Sequence, residues 1–191
     1  MPETQAPILS EEIRPSRDIV AGHQAMTEFP GRPPWWKGRR GEWYVVAQSL
    51  LFALIAFGPH TAVGLPPWPA PASGITRTAG VVLLVLGTVL CGAAALHLGT
   101  NLTPLPHPKD DATLVTGGLY RLVRHPIYFG VLLLAFGWAL FVQGWLTLGY
   151  AALLFVFFDI KSRKEEAWLM ARFPDYAAYR RRVRKLIPFI Y

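Results

Sequence analysis

The chain has 191 residues and a formal charge of +7, with 52% apolar and 16% charged residues. Soluble domains average about 25% charged residues, and the apolar residues here form long blocks, so the composition favours a helical membrane protein over a soluble domain. Cys91 is the only cysteine, which excludes an internal disulfide and a cysteine-based metal site. We expect it to act as a small buried hydrophobe.

Residues 1–42 are polar and interrupted by prolines, with no apolar region of the kind that a secretory signal needs. We predict that they form a flexible cytoplasmic tail, in which Trp35 and Trp36 anchor the chain at the membrane interface. The membrane domain is expected to cover residues 43–191.

Four apolar blocks follow, and each predicts a membrane-spanning helix. They cover about Trp43 to Phe57 (an extension to Val63 stays open), Thr78 to Leu98, Pro126 to Val142 and Trp145 to Ile160. The last two are shorter than the usual ~20 residues, and Gln143-Gly144 between them fits only a tight helical hairpin. The predicted fold class is all-α, an integral membrane bundle of about four transmembrane helices with a cytoplasmic C-terminal helical segment.

The lysines and arginines predict the orientation of this bundle. The N-terminal tail, the loop between the second and third helices and the C-terminal segment are basic, whereas the loop from Gly58 to Arg77 carries Arg77 alone. With four helices, all basic segments lie on one side, so both termini and the active site are expected to be cytoplasmic. The basic run from Arg180 to Lys185 lies beside an apolar core, which fits anionic membrane lipids better than nucleic acid.

Common motifs of soluble enzymes are absent from the sequence. There is no Gly-x-Gly-x-x-Gly fingerprint, no complete phosphate-binding loop and no signal of a nucleophile triad. The histidines are scattered, and none has a partner at metal-ligand spacing, so no metal is expected.

A first polar cluster stands at the start of the third apolar block. His125 precedes Pro126, which predicts that the helix begins at Pro126 with His125 at its cap and Tyr128 in its first turn. Free backbone N–H groups there would favour an anion. Alternatively, Arg124 and His125 only mark a helix start at the interface, and spacing alone does not separate the two interpretations.

A second polar cluster follows the fourth block. Lys161 lies one turn before Glu165, which allows a structural ion pair, and Glu166 comes next. Tyr176 and Tyr179 share one face of a later segment, and their simplest role is packing against the bundle. Carboxylates and aromatic rings would also suit a bound sulfonium cation, so both interpretations stay open.

Together these motifs resemble the isoprenylcysteine carboxyl methyltransferase family, which is related to the phospholipid N-methyltransferases. The matching residues are Leu114-Val-Thr-x-Gly-x-Tyr120, Arg124-His-Pro-x-Tyr-x-Gly130, Glu165-Glu166, Phe173-x-x-Tyr176-x-x-Tyr179, Arg182-Val183 and Ile187-Pro188-Phe189. The resemblance covers roughly Leu102 to Tyr191, while the first helix pair resembles the family only in hydropathy.

The resemblance implies that S-adenosyl-L-methionine is the cofactor. It assigns cofactor binding to Ala112, Thr113, Leu114, Val115, Tyr120, His125, Pro126, Ile127, Tyr128 and Glu165. Lys161 falls where the family has a substrate-binding arginine, and lysine lacks the two-pronged fork that grips a carboxylate. Arg163 could replace that fork if the helix were rotated. Lys161 and Glu165 are therefore the expected catalytic residues, with Lys161 or Arg163 binding the substrate.

The activity implied by the resemblance is carboxyl O-methylation of an isoprenylcysteine-like or other lipophilic acid drawn from the membrane. Phospholipid or amine N-methylation and thiol S-methylation on the same scaffold are alternatives. An NADPH-dependent sterol-type reductase also resembles this architecture, but such proteins have asparagine where Ile127 stands. A non-enzymatic membrane partner protein is the remaining alternative.

Overall fold

The computed structural model describes residues 41–191, apart from residues 69, 108 and 110. The predicted N-terminal tail, including Trp35 and Trp36, lies outside the described residues almost entirely, and its role stays a prediction. The described part has five α-helices and two short 3₁₀ helices, and it contains no β-strand. The α-helices are α1 (Glu42–Phe57), α2 (Ala70–Leu98), α3 (Pro126–Val142), α4 (Trp145–Arg172) and α5 (Tyr176–Arg182), and the 3₁₀ helices are Gly99–Asn101 and Gly118–Arg121.

The helix boundaries agree with the sequence analysis for α3, for the ends of α1 and α2 and for the start of α4, and they depart from it at the start of α2 and the end of α4. His125 is the N-cap residue of α3 and Pro126 its first residue, as predicted. The fourth helix does not end at Ile160 but continues to Arg172, because its polar half consists mainly of strong helix formers and the first interruption is Phe173 before Pro174. α2 begins earlier than expected, at Ala70, and α1 ends at Phe57 without the extension to Val63.

Two helices of the described part are long and apolar enough to cross a membrane. They cover Ser73–Asn101 and Trp145–Arg172, whereas Glu42–Phe57 and Pro126–Val142 are shorter apolar helices. The four-span arrangement therefore stays a prediction. Val81, Val85 and Val89 on α2 are about half exposed, which is the outward apolar surface expected of a helix that faces lipid.

Helices α2 and α3 pack antiparallel through glycines. A Cβ atom on Gly80 would lie 2.7 Å from the Gly137 carbonyl oxygen, and one on Gly87 would lie 2.8 Å from the Gly130 carbonyl oxygen. The paired glycines recur every seven residues on each helix and let the two backbones approach closely, as small residues do between membrane helices. This contact fixes the start of α3 beside the end of α2.

The apolar core lies between α1, α3 and α4. Its buried members are Ile55, Leu132, Ala135, Ala151, Leu154 and Phe158. At the α3–α4 turn the backbone needs a left-handed residue, which is Gln143 (φ 54°), and its side-chain amide donates to the Ser73 carbonyl oxygen at 3.0 Å. This turn lies at one end of the bundle. The polar residues at the start of α3 and in the second half of α4 therefore lie at the opposite end.

The C-terminal segment returns to the start of α3. The backbone N–H groups of Arg124 and His125 donate to the carbonyl oxygens of Arg184 and Lys185, at 2.8 and 3.1 Å. Lys185 Nζ in turn donates to Asp159 Oδ1 of α4 at 2.5 Å. These bonds hold the segment that carries Arg124 and His125 against α4.

Candidate active site

A cavity of about 380 Å³ lies where α3 begins and the polar half of α4 passes, and we call it the main cavity. Its walls come from all four long helices, the loop between α2 and α3, and α5. They consist of Gln48, Leu98, residues 101–106 and 112–115, Tyr120, Arg124, residues 125–128, Lys161, Glu165, Leu169, Phe173, Tyr176 and Tyr179. Most of this surface is apolar, which is typical of small-molecule sites.

The structure brings nearly all of the predicted site residues together. The ten predicted cofactor-binding residues line the main cavity, and so does Lys161; the ten are Ala112, Thr113, Leu114, Val115, Tyr120, His125, Pro126, Ile127, Tyr128 and Glu165. Arg163 lies outside it. The Arg163 side chain is exposed and pairs with Asp159 one turn earlier, with Nε 2.9 Å from Oδ2.

The loop segment of residues 112–115 is held against the end of α2. Thr113 N–H donates to Asn101 Oδ1 at 3.0 Å, and Asn101 Nδ2 donates to Thr113 Oγ1 at 3.2 Å. Gly118 is also required here, because its φ is +56° and a Cβ atom would lie 2.2 Å from the His97 ring. These contacts place the apolar loop residues on the cavity wall.

Tyr128 occupies the centre of the site. Its ring stacks between those of His125 and Phe158, with centroids 5.3 and 4.5 Å away and interplanar angles of 5° and 7°. Its hydroxyl donates to Glu165 Oε2 at 2.8 Å, and Lys161 Nζ lies 5.2 Å from its ring centroid. One aromatic ring therefore contacts a carboxylate at its edge and an ammonium over its face.

Glu166 holds the wall of the cavity together. Its Oε1 accepts from Arg124 Nε at 2.8 Å and lies 3.1 Å from His125 Nε2, while its Oε2 lies 3.2 Å from Arg180 Nε. The side chain is 3% exposed. A buried carboxylate with this many partners is stable as an anion, and it fixes the orientation of the His125 ring.

Lys161 does not form the ion pair with Glu165 that its spacing allowed. Its side chain is buried, and Nζ donates to Gln48 Oε1 on α1 at 2.5 Å and to the Pro104 carbonyl oxygen at 3.0 Å. Glu165 is bound by Tyr128 instead and stays partly accessible to the cavity.

Sequence reasoning missed Tyr176 and Gln48 as site residues. Tyr176 is 1% exposed, lines the main cavity, and its hydroxyl has no hydrogen-bond partner in the described part of the chain. Burial, reinforced by the negative charge of Glu166, raises the pKa of Tyr176 well above its usual range, so the hydroxyl keeps its proton. The match of Tyr176 to the family pattern Phe173-x-x-Tyr176-x-x-Tyr179 was a sequence signal that could have identified it. No sequence signal pointed to Gln48.

Tyr179 contrasts with Tyr176 although the two lie one turn apart. Its hydroxyl donates to the Tyr120 carbonyl oxygen at 2.5 Å, and burial raises the pKa of Tyr179 and of Tyr120. Tyr179 thus ties α5 to the 3₁₀ helix beside the cavity, whereas the hydroxyl of Tyr176, which also lines the cavity, is buried with no partner in the described part of the chain.

The fold and the site define a class of protein. It is a helical membrane protein whose polar cluster encloses a small-molecule cavity with a carboxylate, an ammonium and an unsatisfied hydroxyl. No group of three potential metal-ligating residues occurs within the part of the chain that the structure describes.

The family model described as phospholipid methyltransferase matches residues 75–175. The chain belongs to that family. The match begins within α2, so it extends further toward the N-terminus than the motifs from Leu102 onward indicated.

Similar proteins confirm the resemblance to isoprenylcysteine methyltransferases. The protein-S-isoprenylcysteine O-methyltransferase of Schizosaccharomyces pombe is 33% identical over 120 residues, which are 61% of this chain and 51% of that protein. The cobalt-zinc-cadmium resistance protein CzcN of Cupriavidus metallidurans is 30% identical over 151 residues, 78% of this chain and 63% of that one. The chain thus spans between half and about three-fifths of these relatives.

A solved structure has the same fold. It is that of the eukaryotic intramembrane Ras methyltransferase ICMT (isoprenylcysteine carboxyl methyltransferase), with a TM-score of 0.57 and 27% sequence identity. The similarity covers 78% of this chain and 52% of that one. The described part of this chain therefore has a helical membrane fold of the ICMT type.

Proposed function

We propose that this protein is an S-adenosylmethionine-dependent methyltransferase that methylates the carboxylate of an isoprenylcysteine-like or other lipophilic acid. The observation that carries the proposal is the position of Tyr128 between Glu165 and Lys161 inside one mainly apolar cavity. A carboxylate and an ammonium at separate points of such a cavity suit a cationic ligand and an anionic one bound side by side.

The residues of the cavity fit the cofactor. The partly accessible Glu165 carboxylate, which the Tyr128 hydroxyl holds in place, would pair with a sulfonium cation. The unpartnered Tyr176 hydroxyl offers a donor to a polar atom of the ligand, and the apolar loop of residues 112–115 offers a surface for a flat ring. When bound, the cofactor supplies an electrophilic methyl group, which leaves sulfur as the acceptor forms its new bond.

The acceptor side of the cavity favours an acid. A carboxylate has a reference pKa of about 4 and is already a nucleophile at neutral pH, so it needs no general base. Lys161 supplies the positive charge that orients it. Exclusion of water by the apolar walls strengthens this attraction, and alignment of the two ligands supplies much of the remaining rate.

We also propose that the main cavity opens at the cytoplasmic side of the membrane. The cavity lies at the end of the bundle where α3 begins and where the basic segments at residues 121–124 and 180–185 meet. The opposite end holds the loop of residues 58–68 and the Gln143 turn, which lack lysine and arginine. The positive-inside rule assigns the basic end, and with it both termini, to the cytoplasm.

A phospholipid amine is the second candidate acceptor, because the matching family model is described as phospholipid methyltransferase. An ammonium at Lys161 disfavours a second amine, which would also have to lose a proton before reacting. We therefore test a phospholipid amine beside the carboxylic acid as acceptors.

The test begins with calorimetric binding of S-adenosylmethionine, S-adenosylhomocysteine and NADPH to the detergent-purified protein. We expect both adenosyl compounds to bind and NADPH not to bind. Glu165→Gln should weaken binding of S-adenosylmethionine by about tenfold or more, since it removes a charged contact while keeping the shape. NADPH binding alone, or unchanged affinity in Glu165→Gln, would contradict the proposal.

Acceptors are then compared with labelled S-adenosylmethionine. The probes are N-acetyl-S-farnesylcysteine, phosphatidylethanolamine and a long-chain alkyl thiol. Label in a base-labile ester of the first probe supports the carboxylate assignment. Label in the amine or the thiol alone would support methyl transfer but would contradict the carboxylate as the acceptor.

A further inference from the structure

Gln48 reaches the main cavity from a part of the chain that none of the motifs covers. It lies on α1, before residue 75, where the family match begins. Its Oε1 accepts from Lys161 Nζ at 2.5 Å, and both side chains line the main cavity. The residue that replaces the family's arginine therefore has a partner on another helix.

The donors of these two side chains are only partly used. An ammonium has three N–H donors, and Lys161 directs two of them to Gln48 Oε1 and the Pro104 carbonyl oxygen. The Gln48 amide nitrogen carries two more, and no described residue accepts a hydrogen bond from it. Since Lys161 Nζ binds the amide oxygen of Gln48, the amide nitrogen of Gln48 lies beside the ammonium at the same end of the cavity.

We propose that Gln48 and Lys161 together form the binding site for the acceptor's carboxylate, with one donor group for each oxygen. The inference rests on the proposed function and adds Gln48 as a residue that determines acceptor specificity. A lone lysine binds a carboxylate as a point charge, without the paired donors of an arginine. The amide of Gln48 supplies the second donor, so the pair reproduces a two-point grip with two side chains from two helices.

This arrangement predicts discrimination between an acid and its amide. A primary amide presents one acceptor oxygen and one NH₂ group, and the NH₂ group would face donors without an acceptor. Burying unpaired donors is costly, and a site that loses a pairing this way rejects the analogue strongly. The wild-type protein should therefore bind the acid much more tightly than the amide.

The experiment measures binding of N-acetyl-S-farnesylcysteine and its primary carboxamide to the full chain loaded with S-adenosylhomocysteine. We expect Gln48→Leu to weaken binding of the acid about tenfold and that of the carboxamide less than threefold. Its affinity for S-adenosylmethionine should be unchanged. Ser49→Ala is the matched control, because the exposed Ser49 hydroxyl donates to the Val45 carbonyl oxygen of its own helix and does not line the main cavity.

A second variant tests the geometry. In Lys161→Arg the guanidinium fork supplies both donors from one side chain, so adding Gln48→Leu should cost less than threefold there. Equal losses for acid and carboxamide, or no preference for the acid in the wild type, would overturn the role of Gln48. Either of these two outcomes would leave the affinity for S-adenosylmethionine unchanged. If the proposed function itself were wrong, the protein would be folded but would not bind S-adenosylmethionine.

Discussion

Glu165 and Glu166 are neighbours in the sequence and face different surroundings in the structure. Glu165 accepts from the Tyr128 hydroxyl at 2.8 Å and is 26% exposed, toward the main cavity. Glu166 is 3% exposed and is bound by Arg124, His125 and Arg180. Consecutive helix positions point about 100° apart, so the Glu165 carboxylate faces the main cavity while the Glu166 carboxylate binds the charged side chains beside it.

Glu166→Gln should destabilise the protein. Removing one partner of a buried ion pair leaves the other charges uncompensated, which typically costs about 3 kcal/mol or more. We expect a lower free energy of unfolding, measured by denaturant unfolding in detergent. Glu165→Gln is the matched control and should change the stability of the ligand-free protein by less than about 1 kcal/mol. Equal stability of the two variants would contradict the division of roles.

Tyr176→Phe should weaken cofactor binding without harming the fold. The hydroxyl has no partner in the described part of the chain, so its removal costs the ligand-free protein nothing and relieves an unsatisfied donor. Loss of one hydrogen bond to the cofactor costs about 1 kcal/mol, which raises the Kd roughly fivefold, and calorimetry measures this change. An unchanged cofactor affinity would mean that the Tyr176 hydroxyl has no part in the site.

Tyr179→Phe is expected to behave in the opposite way. It removes the bond to the Tyr120 carbonyl oxygen and should lower the free energy of unfolding by about 1 kcal/mol. An unchanged free energy of unfolding in Tyr179→Phe would contradict this structural role.

Gly87→Ala should separate α2 from α3. The added Cβ atom would lie 2.8 Å from the Gly130 carbonyl oxygen, so the backbones must move, at a cost of about 1–3 kcal/mol. Gly92 lies on the same helix with nothing within 4 Å of its Cβ position, and Gly92→Ala should be neutral or stabilising. Thermal unfolding in detergent compares the two. Equal melting temperatures would contradict close packing at Gly87.

Stability should fall in alkaline solution because of Tyr176. Burial raises its pKa above the ordinary value of about 10, so between that value and the folded pKa only the unfolded chain loses the proton. The folded state then binds more protons, and stability decreases as pH rises. By pH 11 the loss is about 1.4 kcal/mol for this residue. Unfolding at pH 9 and pH 11 should show a smaller decrease in Tyr176→Phe than in the wild type, and equal decreases would refute this origin.

Local sequence signals determined several parts of the protein. Proline at position 126 sets both the start of α3 and the position of His125 at its cap, because the ring restricts the preceding residue and suits the first helical turn. The apolar blocks gave all four long helices. The motif resemblance gave the family and ten residues that line one cavity. Each of these signals depends on neighbours along the chain or on a shared pattern.

The tertiary structure decided what distant residues do to each other. Lys161 binds Gln48, 113 positions away, rather than the nearby Glu165 that helix spacing offered. Arg163 is turned to Asp159 outside the cavity, and the Tyr176 hydroxyl is buried at the cavity wall without a partner among the described residues. Helical period specifies which face a side chain occupies, but which partner meets that face depends on how the helices pack, and that is set by contacts such as Gly87 on Gly130 between remote segments.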